Sequence, residues 1–487
     1  MNSQIGMSDL ASYLRNLQNA IQTPVSTNGV MQPTAGGDSL SLAPPNPHSS
    51  GTAISTSGVI TPLVPVSTPT TSQKLKFMLV STHISQVTGY SKVSYGILKE
   101  LAKIPWLEVI HYGFQKYKGN NAVERRYPAG VREIDAAAMD PQNQQMGFAF
   151  TALPEMIQEV KPHVVMVYND MSIVTNFMEA IKKAGIERTF QSWVYIDQVY
   201  TSQTMAHIDV LNREADRIFT FTKYWRDTLK AQGVHRPIDV LGHGFDSELF
   251  RKVDRDVARK ALGLPADMFL LTSFNRNQPR KRLDLLIMAF VELIVKFPSK
   301  KVGLLCVCDK GEKGGWPLFE IYVRELRARG VRPEMYGDRL IITQRDMTYT
   351  DEEINMLYNA GDVGVSAAEG EGWGLCTFEQ LGLGIPQVAP DVGGYKEYCA
   401  ADCSYLVKPK ARYYYTMAQS PVGGEAWMCD PHDLCLAMEN YVLDSELRTQ
   451  HGKAGAARVA AYTWAEAVKT LVRRLEHTRD DVEADSR

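Results

Sequence analysis

From Lys74 onward the chain alternates short runs of consecutive apolar residues with longer stretches in which apolar positions recur every three or four residues. The first run, LKFMLVST, leads through a loop at Gly89 into a helix predicted from Ser91 to about Lys103 and then into LEVIHYGF, which is a βαβ pattern. PHVVMVYND, TFQSWVYID and RIFTFT read as further buried strands, each followed by a helical pattern, and this series closes near Ile238 to Gly244. A second series starts at Met268 and continues through KVGLLCVCD, RLIITQ, DVGVSA and PQVAP. The pattern predicts an α/β protein with two Rossmann-like, doubly wound sheets, whose ligand loops belong at the strand C-termini.

Residues 1–73 break this pattern. They are rich in Ser, Thr, Pro and Gly with Tyr13 as the one aromatic, a composition that buries too little surface to offset the entropy of ordering, so a mostly disordered extension is expected. Within it, Leu10, Leu14, Leu17 and Ile21 share one face of a helix over Met7 to Ile21, which suits a partner better than a membrane, since Arg15 is its one basic residue. The N-terminus lacks a basic segment followed by a continuous apolar one, and no run approaches transmembrane length, so a cytoplasmic location is expected.

Length and composition fit two substantial cores: 487 residues, 44% hydrophobic and 22% charged. A formal charge of −2, with no extended basic stripe, gives no nucleic-acid footprint. The seven cysteines lie mostly in apolar contexts such as VGLLCVC and read as reduced core thiols. Cys399, Cys403, Cys429 and Cys435 can be drawn as a zinc set, but their spacings match no common knuckle.

The most informative segment is SAAEGEGWGLCTFEQLGLGIPQVAPDVGGYKE, Ser366 to Glu397. Gly370, Gly372 and Gly374 free the backbone to approach a ligand, and the helix that follows opens with unpaired N–H groups that suit an anion. Glu371 precedes the helix and Glu379 lies inside it, so the two can reach opposite ends of one bound molecule and accept hydrogen bonds from its hydroxyls. Glutamates are usually solvated. Here Leu375, Phe378, Leu381 and Leu383 make most of the helix apolar, so Glu379 is expected to be partly buried and to need a partner.

E-G-W-G-L-C-T-F-E followed by Q-L-G-L-G-I-P-Q-V-A resembles the Glu-x7-Glu signature of the family 4 retaining glycosyltransferases, a resemblance that runs from about Lys74 to His477. It implies the GT-B architecture, with two Rossmann-like domains facing a central cleft. The expected division is an extension over 1–73, an acceptor-side domain over 74–245, a nucleotide-sugar domain over 246–460, and a C-terminal segment, 461–487, whose helix from Trp464 to about His477 crosses back to the first domain. LGHGFDSELF, with His243-Gly244-Phe245-Asp246, resembles the hinge, and His243 is open to a structural role or to one lining the cleft.

The resemblance also distributes roles. Arg276 and Lys281, in the loop after MFLLTSF, would grip the donor diphosphate, with Arg280 and Arg282 beside them more open to solvent; Arg282 stands where relatives often carry glycine. The junction Gly372, Trp373, Gly374 and Leu375 would supply amides, Glu379 would hold the ribose, and Glu371 the donor sugar. Gly89 resembles part of a glycine loop against the diphosphate or acceptor, although Thr88-Gly89 replaces the usual glycine pair. Asp197 ends a strand where many members place a histidine near the transferred sugar. It could stabilise charge at the anomeric carbon or cap the following helix; Asn169 and Asp170 are lesser candidates at a similar strand end.

The implied reaction moves a hexosyl-type group from a nucleotide-diphosphate sugar to a hydroxyl of a glycan, lipid-linked or protein acceptor with retention of configuration. No cofactor and no metal are expected; Asp254-Arg255-Asp256 reads as a helix start. The alternatives are a nucleotide-sugar epimerase of the same architecture or a non-catalytic relative that binds glycans or partners. The insertion Lys408 to Met428, with Tyr413-Tyr414-Tyr415 and Gly423-Gly424, would shape acceptor choice or simply fill space.

Overall fold

The computed structural model describes residues 74–116, 125–308, 314–343, 349–415, 420 and 422–485. The extension and its Met7–Ile21 segment lie outside the described residues. Strands are numbered along the chain.

β1 (Leu75–Thr82), β2 (Leu107–Phe114), β3 (Val131–Asp135), β4 (Val164–Asp170), β5 (Gln191–Asp197), β6 (Arg217–Thr220) and β7 (Ile238–Val240) form one parallel sheet in the order β3-β2-β1-β4-β5-β6-β7. β8 (Phe269–Phe274), β9 (Val302–Val307), β10 (Leu340–Ile342), β11 (Val363–Val365), β12 (Gln387–Pro390) and β13 (Ser404–Val407) form a second, in the order β10-β9-β8-β11-β12-β13. Continuous burial along β1, β2, β4, β8 and β9 shows why the apolar runs become strands: helices cover both faces, so alternation is lost. The short and less apolar β3, β7 and β13 give no such signal.

Strand order reverses between β1 and β4 in one domain and between β8 and β11 in the other, which is where a doubly wound sheet opens a crevice. Thr82, Asp170, Phe274 and Val365, at the C-terminal ends of these four strands, all line a single cavity of about 480 Å³ between the domains.

The first helix is Gly89–Leu101, two residues earlier than the sequence suggested, because Thr88 and Ser91 form a capping box at its start. Gly89 is therefore a first-turn helix residue, not part of a glycine loop. The chain passes between domains beside Trp464: a Cβ on Gly244 would lie 2.3 Å from the Trp464 nitrogen, and Phe245 N–H donates to Tyr462 O at 2.6 Å. The C-terminal segment is two helices, Trp464–Ala467 and Lys469–Asp485, instead of one. Arg474 of the longer one donates to Asp239 of the first domain at 2.8 and 3.0 Å.

Asp254 caps the helix Arg255–Leu262 through the amides of Asp256 and Val257, as a helix start should. All seven cysteines are free, and no group of three or more metal-ligating side chains occurs among the described residues. The insertion forms a hairpin, β14 (Ala411–Tyr414) against β15 (Glu425–Met428). It meets the first domain after β5, where Glu425 N–H donates to Thr201 O at 2.9 Å and Thr204 N–H to Val422 O at 3.0 Å.

Candidate active site

After β8 the chain makes a 3₁₀ turn, Pro279–Lys281, and passes through Arg282 in the left-handed region (φ 48°, ψ 45°) before entering the helix Leu283–Lys296. A glycine would adopt that backbone freely. Arg282 holds it with its side chain anchored: the guanidinium donates to Asp284 at 2.8 and 3.0 Å and to Glu369 at 3.4 Å. The turn drives Lys281 inward, where its ammonium donates to Glu371. Arg280 donates to Gly370 O at 3.1 Å and to Glu371 Oε2 at 3.4 Å. Neither Arg280 nor Arg282 is the solvent-facing residue the sequence suggested. Arg276 lines the cavity but is exposed, with no side-chain partner among the described residues.

Burial alone would raise the Glu371 carboxyl, yet Lys281 and then Arg280 outweigh it and hold the group below its ordinary range. Burial and the adjacent Arg280 charge in turn press the Lys281 ammonium downward. One carboxylate between two cations, with Arg276 nearby, leaves this wall net positive.

The wall ends at Gly374, which has φ 86° and begins the helix Leu375–Gly382. A Cβ there would lie 2.5 Å from Tyr395 Cε1 and 2.8 Å from Tyr398 Oη, so conformation and space both demand glycine. No side chain caps this helix, which leaves its first-turn amides open beside the two cations. Trp373, by contrast, turns into the core among His243, Phe378 and Tyr398, and contributes backbone to the junction. Leu375 is half-buried and meets the first domain at Gly89, whose added Cβ would sit 3.1 Å from Leu375 Cδ1.

Glu379, one helix length away, is 4% exposed. Its carboxylate takes Lys92 from the first domain at 3.2 and 3.3 Å and the Tyr358 hydroxyl at 2.6 Å. Burial raises it above the usual carboxylate range despite Lys92. Beside it Arg125 donates to both oxygens of Asp351 at 3.0 and 3.2 Å, a second ion pair between the domains.

Across the cavity, Asp197 accepts from Tyr90 Oη at 2.8 Å through Oδ2, while Oδ1 is buried without a hydrogen-bond partner. A Cβ on Gly372 would come within 1.8 Å of that oxygen, so glycine lets the second domain's backbone close on it. Burial lifts the Asp197 carboxyl to about 6. The capping role considered for Asp197 is overturned: the following helix is Met205–Glu214, its cap position is Thr204, and no side chain caps it. Asp170 is a cap, accepting from Ile173 N–H at 3.1 Å, and Asn169 donates to Thr82 at 3.4 Å. His243 lines the cavity at 2% exposure with neither ring nitrogen hydrogen-bonded, and burial lowers it to about 3, so it is neutral.

The structure thus brings Gly89, Asp197, Arg276, Lys281, Glu371, Trp373, Gly374, Leu375 and Glu379 to one cavity, with Gly372 against Asp197. Sequence reasoning missed Tyr90, Lys92, Arg125, Asp351 and Tyr358. Lys92 and Tyr90 sit two residues apart on one first turn, and only their partners, far away in the chain, reveal them.

Two parallel-sheet domains meeting at such a cavity have the GT-B architecture, and the second of them matches the glycosyl transferases group 1 family model over residues 268–416. Among curated relatives, the D-inositol 3-phosphate glycosyltransferase of Streptosporangium roseum is 25% identical over 235 residues, 48% of each chain, and that of Rhodococcus erythropolis 30% over 158 residues, 32% of this chain and 34% of the relative. The chain thus spans about a third to a half of the length of the curated relatives it matches. Among solved structures, the sucrose-phosphate synthase of Thermosynechococcus elongatus aligns with TM-score 0.61 at 17% identity, covering 83% of this chain and 99% of that one. HepE of Anabaena, solved with UDP and glucose, aligns with TM-score 0.61 at 15% identity over 83% and 100%. These two likenesses concern the fold. Among the described residues no helix is long and apolar enough to cross a membrane.

Proposed function

We propose that the chain is a retaining glycosyltransferase that moves a hexosyl-type sugar from a nucleotide-diphosphate sugar to an acceptor hydroxyl. The observation that carries this reading is the convergence of Lys281 and Arg280 on one carboxylate, Glu371, with the uncapped helix start at Gly374 and Arg276 on the same cavity. A diphosphate entering there meets cations and oriented amides already in place, and these oppose the negative charge that gathers on the leaving phosphate. The route assigned here uses those groups and runs without a metal ion. The likeness to proteins named as glycosyltransferases, and to a structure solved with UDP and glucose, supports the same class of donor.

Glu379, with Tyr358 behind it, is assigned to the ribose hydroxyls, and Glu371 to the donor sugar. Asp197 lies on the opposite wall, where a carboxylate opposes positive charge developing at the anomeric carbon. The acceptor proton passes to the departing phosphate oxygen. An epimerase handles one substrate and has no use for a second wall, so transfer is favoured.

A thermal-shift panel of UDP- and GDP-sugars on the full chain tests the reading, since binding to the folded state raises Tm by mass action. The expected result is stabilisation by one nucleotide sugar, and release of its nucleoside diphosphate accelerated by an added acceptor. No shift and no release with any nucleotide sugar would overturn it.

A further inference from the structure

The two walls of the cavity differ in charge. Among the described residues, every cation that lines it is either on the second domain, as Arg276, Arg280 and Lys281 are, or already occupied. Lys92 is held by both oxygens of Glu379. Arg125 uses one guanidinium nitrogen on Ile84 O and Ser91 Oγ, each at 3.1 Å, and another on Asp351.

Deeper on the first domain's wall stand Asp170 and Asp197. They are register partners at the ends of parallel neighbours β4 and β5, so they leave the sheet side by side, about 5 Å apart. Asp170 uses Oδ1 to accept from Ile173 N–H and from Ser172 Oγ at 2.7 Å, and no described residue meets its Oδ2. Asp197 has one oxygen on Tyr90 and one without a donor. His243, almost wholly buried on the same cavity, has both ring nitrogens unpartnered. These groups accept from hydroxyls, and a neutral imidazole can also donate to one.

We infer that the acceptor is an uncharged polyol held through a hydroxyl at Asp170, beside the buried charge of Asp197, and that phosphate monoesters of such polyols are rejected. This rests on the reading that the cavity receives the acceptor on the first domain's side. A phosphate placed there faces two carboxylates, and the described cations of that wall, Lys92 and Arg125, are already paired, so like charges repel it.

The test uses the full chain and the nucleotide sugar that it turns over. Free hexoses, alkyl glycosides and inositol are each compared with the corresponding phosphate monoester, including D-inositol 3-phosphate. Stimulated nucleoside diphosphate release and product mass give kcat/KM for each. The expected result is a preference of at least about tenfold for the unphosphorylated member. Asp170→Asn, which keeps a good helix cap, should narrow that preference about threefold or more, with Tm retained. A phosphorylated acceptor used better than its parent polyol, or no uncharged acceptor used while donor hydrolysis persists, would overturn the inference alone. Absence of any nucleotide-sugar turnover would overturn it together with the reading on which it rests.

Discussion

Glu371 and Glu379 flank one short helix, and their surroundings are opposites. Glu371 sits between Lys281 and Arg280 of its own domain and is held ionised. Glu379 is buried deeper, has one cation, and receives it from the other domain, so its carboxyl is pushed upward. The same residue type therefore does different work at each end. The Glu371 end is built within a single domain, and the proposed function makes it the seat of the diphosphate. The Glu379 end is complete only when the first domain supplies Lys92, and under the proposed function ribose hydroxyls would share that carboxylate with it.

The largest effect expected from this contrast comes from the Glu371 end. Lys281→Ala removes the buried cation that the proposed function sets against the charge growing in the transition state, so kcat should fall about 10²- to 10³-fold. Folding should survive, because Arg280 still neutralises Glu371. Steady-state kinetics at saturating donor, with a thermal melt as control, decides the matter. A kcat within about threefold of the parent would move the diphosphate seat elsewhere.

At the other end a ground-state effect is expected. Glu379→Gln keeps the shape and the Tyr358 hydroxyl's acceptor but removes the charge, so calorimetry should show nucleoside diphosphate binding weakened about tenfold, with a smaller change in kcat. If kcat collapses while affinity holds, the two glutamates have been assigned the wrong way round.

The sequence exposes these two ends unequally, for a physical reason. Gly374, Glu371 and the apolar helix lie in one continuous segment, and local chemistry predicts the turn, the open amides and the burial of Glu379. The sheets are legible for the same reason, since β1, β2, β4 and β9 are covered on both faces. What satisfies Glu379 is not local: Lys92 is 287 positions away, on a helix whose own pattern shows only amphipathicity. Arg280 was hidden by spacing, because the family pattern singles out Arg276 and Lys281 while the 3₁₀ turn after Gln278 carries Arg280 in beside the lysine. The hairpin of the insertion was unreadable because its strands are short and its hydrogen-bonding partners, Thr201 and Thr204, belong to the first domain.

The smallest expected effect tests how far the Glu371 end reaches across the cavity. Asp197 is raised to about 6 first by burial, with Tyr90 opposing and the Glu371 charge adding to the rise. Its folded-state value thus lies above the unfolded one of about 4. Between these values the folded protein binds more protons than the unfolded chain, so this group's contribution makes stability fall as pH rises from about 4 to about 6 and adds no further change above that. Asp197→Asn removes the buried charge and should raise Tm by a few degrees at pH 7, a gain of about 1–2 kcal/mol that shrinks as pH falls toward 4. Transfer should slow in the same variant, since the charge opposite the anomeric carbon is gone. A variant that melts lower than the parent at pH 7 would show that Asp197 is held by a partner that compensates its charge, and the cavity would then be less polarised between its two walls than the carboxylate's surroundings indicate.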